Sequence, residues 1–544
     1  MKKNTIYLLF LGIICFCFLF HLGQWGVLES SEARYAEIAR EMVSTGDYLQ
    51  PQLQGIYHFD KPPITYWITA LGQNIFGINP FGSRFFLSIA YLIQLVLVYF
   101  ITLKWFGKQR VSEITTVIYA SLPVVIMSVR NLTTDAYLNT FSLLAIFLYT
   151  MHRRSKCPNI YHLLWGISLA ILFMTKGPVA MLIPVLWIYP IKKMCPAKEP
   201  TYRITRWVSA LIMIVLGGMW YVALIRNNQG LWDFFTQEQL VDRFANAQAL
   251  RRSEPFYYYL YTFIPALLPW AFLPFTRGVK YDKKMQLILL FAVAIPMLFF
   301  SIASSKLILY PLPVAFGFAV WFGYIFHQKE EKKRKGQYLY GAFFFVLPVL
   351  MGIYAFLNIK GISTWWYLLL IFDYTILVTL SCRQSKISNS ILIASFAIPM
   401  ILVPYSPTIL EKIELDINGT TPLTEFIVQR GLNKGHVIVY DERVASLDFQ
   451  LQKQTYEIED GNYLLKRNTS FQKDTNWQKH LLSFKTQRTD IMKLVNQPSI
   501  LIFKYKVPKQ ALFLTRAYNK QVHIGKWILY YHHKDIESST LRVE

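Results

Sequence analysis

The sequence predicts a polytopic α-helical membrane protein with a small soluble α/β domain at its C-terminal end, and three observations carry that prediction. Of 544 residues 54% are hydrophobic and only 16% are charged, against roughly one quarter charged in an ordinary soluble domain. Apolar runs of about 17–25 residues, long enough to cross a bilayer, recur through the first three quarters of the chain. After residue 406 they stop, and short β-like runs alternate with helix-like ones. The net charge of +24 suggests a nucleic-acid binder at first sight. Basic nucleic-acid domains are rich in charge throughout, however, so no nucleic-acid partner is expected. An aromatic content of 16%, with 26 Gly and 25 Pro, excludes disorder and a collagen-like repeat.

Thirteen apolar runs are expected to span, at about 5–27, 82–104, 112–130, 136–151, 160–176, 178–191, 205–225, 257–275, 285–303, 307–327, 337–358, 364–382 and 388–406. The first follows Lys2 and Lys3, lacks a small-residue cleavage site and continues to Trp25, so it reads as a retained helix. If the N-terminus is cytoplasmic, the alternate loops on that side hold 24 basic residues against five acidic ones, while the opposite loops up to residue 406 hold 12 and 11. Lys and Arg gather on the cytoplasmic side of membrane proteins, so this bias fixes the expected topology. Residues 1–406 then form the transmembrane domain, and 407–544 lie on the outer face. In that tail, His436-Val437-Ile438-Val439-Tyr440 and Ile500-Leu501-Ile502-Phe503 are the β-like runs and Thr421 to Leu432 is helix-like. Cys15 and Cys17 fall in the first span, and Cys157, Cys195 and Cys382 on the cytoplasmic side, so no disulfide framework is expected.

Two outer loops, 26–81 and 226–256, are long and chemically loaded. The first opens with Glu29-Ser30-Ser31-Glu32-Ala33-Arg34-Tyr35. Serines before an acidic first turn start a helix and Gly46 stops it. Tyr35, Ile38 and Met42 share one face, which predicts an amphipathic helix lying on the membrane. The same loop holds Phe59-Asp60-Lys61-Pro62-Pro63, and the second holds Glu238, Asp242-Arg243-Phe244 and Arg251-Arg252. Shorter outer turns add Thr134-Asp135, Thr175-Lys176-Gly177-Pro178, and Lys306 with Tyr310, expected one turn apart on the outer end of a helix. Carboxylates, cations and aromatics on one membrane face suit an anionic, partly apolar ligand whose phosphate is held while another group is positioned. A solute pump places ionisable groups near the bilayer midplane, where only Asp373 is found.

These segments resemble the bacterial aminoarabinose transferase branch of the polyprenyl-phosphate-sugar-dependent glycosyltransferases, whose more distant members are protein O-mannosyltransferases. The motifs are E-A-R-Y-A-E-I-A-R-E-M from Glu32, T-G-D-Y-L-Q-P from Thr45, F-D-K-P-P-x-x-Y-W from Phe59, F-G-x-x-x-F-G-S-R from Phe76, Thr134-Asp135, Thr175 to Pro178, Arg243-Phe244, and S-S-K-L-x-L-Y-x-L-P from Ser304. They cover about residues 1–325 in order. The resemblance implies a GT-C fold, with amphipathic helices of the first outer loop over a cavity near the outer leaflet of a bacterial inner membrane. It implies inverting transfer of a sugar, 4-amino-4-deoxy-L-arabinose, from undecaprenyl phosphate to a phosphate of lipid A, the lipopolysaccharide modification behind polymyxin resistance. By the same resemblance Lys61 matches the lysine on the donor phosphate, Asp135 an aspartate at the active centre, and Arg34, Tyr35, Arg243 and Tyr310 further cavity positions. Two departures stand out: Ser31 precedes Glu32 where the family has Asp-Glu, leaving Glu32, ahead of Glu29, as the second candidate catalytic carboxylate, and Asp60 replaces a Glu before the lysine.

Independently of the family, departure of a phosphate is helped by fixed cations, which fits Lys61 and Arg243. An acceptor phosphate is already anionic and needs no base; an acceptor hydroxyl needs one, and Asp135 is the candidate. Lys176, Lys306 and Asp60 complete the expected binding set. Plainer roles compete: a headgroup anchor for Lys61, a helix cap for Asp135, helix-dipole stabilisation for Glu32, snorkelling for Lys306, and a tight turn at Lys176-Gly177-Pro178. No cofactor is required by this reading, and His58 beside Asp60 is too little for a metal site. Glycosylation of a protein or another glycan, and lipid or solute transport, are the alternative functions.

Overall fold

The computed structural model describes residues 12–228, 230–236, 254–276, 278–331, 338–384, 386–461, 471–472 and 475–532. Arg243, Glu238, Asp242, Arg251 and Arg252 lie outside them. The chain divides into two compact units. One comprises Met1–His21, Asp60–Thr65 and Arg84–Pro407; the other comprises Leu22–Phe59, Tyr66–Ser83 and Thr408–Glu544.

The first unit is helical. Among the described residues, six helices are long and apolar enough to cross a membrane, including Pro80–Phe106, Pro158–Lys176, Arg203–Asn227 and Thr364–Cys382. Proline and glycine set several of the ends. Pro158 opens its helix at a position where the missing N–H costs nothing, and Gly107, at φ 66°, follows Phe106. The run expected at 112–130 is two helices, Gln109–Ala120 and Pro123–Arg130, bent by 57° at the proline. The run expected at 257–275 is not a continuous helix. It forms the short turns Tyr258–Tyr261, Pro265–Leu267 and Trp270–Phe275, because Pro265, Pro269 and Pro274 each remove a donor from the helical ladder.

Thr134–Arg154 and Pro158–Lys176 are antiparallel neighbours joined by three residues, packed through Leu138, Ala145, Leu169 and Leu172. At Gly166 a Cβ would meet Ser209 Oγ at 2.4 Å, so glycine lets Arg203–Asn227 pack closely on the other side. Several polar residues inside the apolar spans are paired. Tyr119 Oη donates to Gln94 Oε1 at 2.7 Å, Asn139 Nδ2 donates to Tyr119 Oη at 2.6 Å, and Gln94 Nε2 donates to Thr140 Oγ1 at 2.8 Å and Ala136 O at 3.2 Å. Asp373, the lone mid-span carboxylate, accepts from Tyr405 Oη at 2.7 Å. All five cysteines are free.

The second unit is built on a six-stranded sheet of β3 (His436–Tyr440), β4 (Tyr456–Glu459), β5 (Leu481–Ser483), β6 (Ser499–Lys504), β7 (Lys520–Ile524) and β8 (Trp527–Tyr531), in the order β5-β4-β3-β6-β8-β7; β1 (Gln52–Leu53) and β2 (Ile56–Tyr57) form a separate hairpin. Its first four strands are parallel and the last two antiparallel. Period-two alternation sends Ile438, Tyr440, Leu501 and Phe503 to one core and Val437, Val439, Ile500 and Ile502 to the other. Both faces are covered, as parallel strands require.

In this unit the helix Ser31–Thr45 is buried along nearly its whole circumference and packs against Ala445–Leu451. This differs from the expected membrane-lying helix, and the reason is that its charged face is internally satisfied. Arg40 forms two bonds to Glu37 at 2.7 and 2.6 Å, and Glu41 accepts from the backbone N–H groups of Gln54 and Gly55. Gln54 in turn donates to Asp448 at 2.7 Å and accepts from Arg443 at 2.9 Å. Burial raises the carboxyls of Glu37 and Glu41 above their ordinary value, and pushes Asp448 up to about 6 and Glu457 to about 7.

Candidate active site

Asp135 is the second residue of the helix Thr134–Arg154, whose N-cap position is held by Thr133. Its carboxylate is therefore not the helix cap of the plainer reading; Oδ1 accepts from Lys176 Nζ at 2.5 Å. Lys176 is the last residue of Pro158–Lys176, and Gly177 at φ 72° turns the chain away behind it. An acid in a first turn and a base in a last turn each complement their helix dipole, so the two helices bring opposite charges to the same level for independent reasons. Both side chains are about nine-tenths buried, at 12% and 11% exposure for Lys176 and Asp135. On its other side the Lys176 ammonium lies over the Tyr310 ring, 4.4 Å from the centroid.

Tyr310 and Lys306 are not one turn apart on a helix. The preceding helix ends at Ile302, and residues 303–311 form a non-helical connection before the turn Leu312–Val314. Pro311 and Pro313 explain this, since a residue before proline is pushed out of the helical region. The connection is held at several points. Lys306 Nζ donates to Glu254 O at 2.7 Å, Glu254 N donates to Ser304 O at 3.2 Å, and Tyr259 Oη donates to Leu307 O at 3.3 Å. Lys306 is buried, which pulls its ammonium below the ordinary lysine value. Tyr310 thus turns to Lys176, and Lys306 to a backbone carbonyl.

Lys61 lies in the Asp60–Thr65 stretch of the same unit, and its Nζ donates to Asp60 O at 3.1 Å. Thr65 Oγ1 donates to Thr134 Oγ1 at 3.4 Å, both buried, tying this stretch to the residue before Asp135. Glu32, Arg34 and Tyr35 belong to the other unit. Glu32 is buried and accepts from Leu28 N at 3.0 Å, half-buried Arg34 donates to Ser30 O at 3.4 Å, and Tyr35 packs on Tyr66 with ring centroids 5.3 Å apart. Glu29 accepts from Ser446 N at 2.6 Å, and burial raises its carboxyl. The structure therefore joins Asp135, Lys176 and Tyr310 in one cluster and anchors the Lys61 stretch beside it.

Sequence reasoning overlooked Gln94, Tyr119 and Asn139. Asn139 follows Asp135 by one turn, and Gln94 holds Ala136 O. Their signal was polar side chains inside apolar spans. No group of three or more His, Cys, Asp or Glu placed to hold a metal occurs among the described residues.

Residues 60–221, which include Lys61, Asp135 and Lys176, match the family model for dolichyl-phosphate-mannose-protein mannosyltransferase. A curated relative from Aeromonas hydrophila, an undecaprenyl phosphate-alpha-4-amino-4-deoxy-L-arabinose arabinosyl transferase, is 29% identical over 359 residues, covering 63% of this chain and 64% of the relative. A protein of the same name from Sodalis glossinidius is 31% identical over 296 residues, 52% of each. The chain thus matches less than two thirds of the length of these relatives. Among solved structures, ArnT from Cupriavidus metallidurans bound to undecaprenyl phosphate superposes with a TM-score of 0.75 at 17% identity, over 99% of both chains. The fold is the GT-C fold of a multi-pass membrane protein, and the resemblance to the aminoarabinose transferases stands.

Proposed function

We propose that this chain is an inverting glycosyltransferase that moves 4-amino-4-deoxy-L-arabinose from undecaprenyl phosphate to a phosphate of lipid A, on the periplasmic side of a bacterial inner membrane. The observation that carries this reading is the buried Asp135–Lys176 pair capped by Tyr310, in a chain whose relatives bear that activity in their names. The acceptor phosphate oxygen attacks the anomeric carbon, the bond from that carbon to the donor phosphate oxygen breaks, and the electron pair leaves with undecaprenyl phosphate. Lys61 and Arg243 stabilise the departing charge, Asp135 orients the sugar, and Glu32 is the second carboxylate. Arg34, Tyr35, Asp60, Lys176, Lys306 and Tyr310 complete the binding set. Fixed cations that need no reorganisation are the efficient way to stabilise such a leaving group, and the proposal calls on no metal. A multi-pass topology with a cytoplasmic N-terminus, and residues 407–544 as a soluble periplasmic domain, belong to the same proposal and rest on the loop charges.

The family model matched by residues 60–221 supports one alternative, a hydroxyl acceptor on protein, for which Asp135 serves as base. Mass spectrometry of lipid A and of envelope proteins, with and without the gene, separates them. Lipid A bearing aminoarabinose only when the gene is present is the expected result. An unchanged lipid A profile with a gene-dependent protein glycan establishes the alternative, and no change in either points to transport.

A further inference from the structure

Lys176 sits where a ligand cation would be recognised. A carboxylate oxygen at 2.5 Å and the face of a tyrosine ring at 4.4 Å are what an ammonium seeks: one charge-assisted hydrogen bond and one cation–π contact. The two walls come from elements far apart in the chain, Asp135 from the start of one helix and Tyr310 from the connection fastened by Glu254 and Tyr259. The occupant, by contrast, is a lysine on a flexible stem at the last residue of its helix, before a glycine in the left-handed region. The walls stand on packed elements, and the cation stands at the end of a flexible four-carbon stem.

We propose that Asp135 and Tyr310 form an ammonium subsite for the donor sugar, which Lys176 fills until the donor binds; this rests on the function proposed above. A sugar amine takes the place of the lysine ammonium, and Lys176 is released to pair with the donor phosphate. The exchange conserves charge locally. If Lys176 left without a replacement, Asp135 would keep a largely buried carboxylate with no cation beside it, a strongly unfavourable state. An aminated donor supplies the replacement, and a neutral sugar does not. Selectivity for an amino sugar and release of a cation to the leaving group then follow from one movement.

The test measures kcat/KM of the full-length protein for two donors, undecaprenyl phosphate carrying 4-amino-4-deoxy-arabinose and its neutral N-formyl derivative, with lipid A as acceptor. Wild type is expected to prefer the amine about tenfold or more. Tyr310→Phe keeps the ring and preserves that ratio, whereas Tyr310→Leu and Asp135→Asn bring it to within about twofold. Where turnover is too slow, displacement of labelled undecaprenyl phosphate gives the ratio by binding. Lys176→Met splits the constants, lowering KM for the amine donor because the subsite is vacant and lowering kcat because the released cation is gone. A wild type that transfers both sugars without preference overturns the inference, as does a preference unchanged in Asp135→Asn and Tyr310→Leu; either leaves the transferase reading intact. A wild type that transfers neither sugar overturns that reading and the subsite with it.

Discussion

Lys176 Nζ lies 2.5 Å from Asp135 Oδ1, joining the C-terminal end of one membrane helix to the N-terminal end of its antiparallel neighbour. The contact links residues 41 positions apart and puts a charged pair on the short chain of elements that includes Tyr310. Most of the expected chemistry depends on it.

Asp135→Asn is expected to lower kcat about 100-fold, the scale found when one electrostatic group is removed from an active site. In a double-mutant cycle with Lys176→Met the losses of stability in the donor-free protein are expected to be clearly less than additive, because each single change leaves its partner without a counter-charge. Steady-state kinetics check the loss of kcat and thermal unfolding of the four proteins checks the coupling; additive losses of stability show that the two residues do not pair.

Lys61→Ala is expected to weaken binding of undecaprenyl phosphate about tenfold or more, and Lys61→Arg to recover part of it, since the charge is kept but the geometry is not. A direct binding titration with undecaprenyl phosphate is the measurement. An unchanged affinity makes Lys61 an interfacial anchor.

Gln94→Leu removes the group that bonds Thr140 and Ala136 O and accepts from Tyr119 and Asn139. Interhelical hydrogen bonds in membranes are worth about 0.6 kcal/mol on average, so a total loss of about 1–2 kcal/mol is expected. Thermal unfolding in detergent should show a lower Tm. A Tm equal to wild type makes the network dispensable.

The pH dependence of the sheet unit has a definite sign. Burial pushes the Glu457 carboxyl up to about 7 from an ordinary 4.5, against the pull of Arg443. Between those values the folded state holds a proton that the unfolded state has lost, so the stabilising contribution is complete below about pH 4.5 and lost as pH rises through about 7. Hydrogen exchange at β3 and β4 in the full-length protein, corrected for the intrinsic pH effect, is expected to become faster over that range. Glu457→Gln is expected to flatten the change; a profile identical to wild type assigns it to other groups, Asp448 first.

Much of this was legible in the sequence, and the exceptions have physical causes. The run expected at 82–104 became Pro80–Phe106, and 364–382 matched Thr364–Cys382, because an uninterrupted apolar run has few alternatives. The strands His436–Tyr440 and Ser499–Lys504 grew from short β-like apolar runs. At 257–275 hydropathy hid three prolines that deny a continuous helix. In Ser31–Thr45 Glu37 and Glu41 read as lying off the apolar face, yet Glu37 is paired within the helix by Arg40, and the partners of Glu41, the backbone N–H groups of Gln54 and Gly55, arrive from a turn no periodicity announces. The Asp135–Lys176 pair had a signal. Helices of 21 and 19 residues span about 31 and about 28 Å at 1.5 Å per residue, and a three-residue link returns the second to the level at which the first began. Tyr310 had no such signal, since the connection that carries it is shaped by tertiary bonds.

Reconstitution tests whether this chain carries aminoarabinose to lipid A. The purified full-length protein, in vesicles with undecaprenyl phosphate-linked 4-amino-4-deoxy-L-arabinose and lipid A, is assayed by mass spectrometry of the acceptor. Lipid A carrying one added aminopentose is expected, with undecaprenyl phosphate released in equal amount, and strong loss of both products in Asp135→Asn. Donor and lipid A recovered unchanged, from protein shown to bind undecaprenyl phosphate, would overturn the transferase reading.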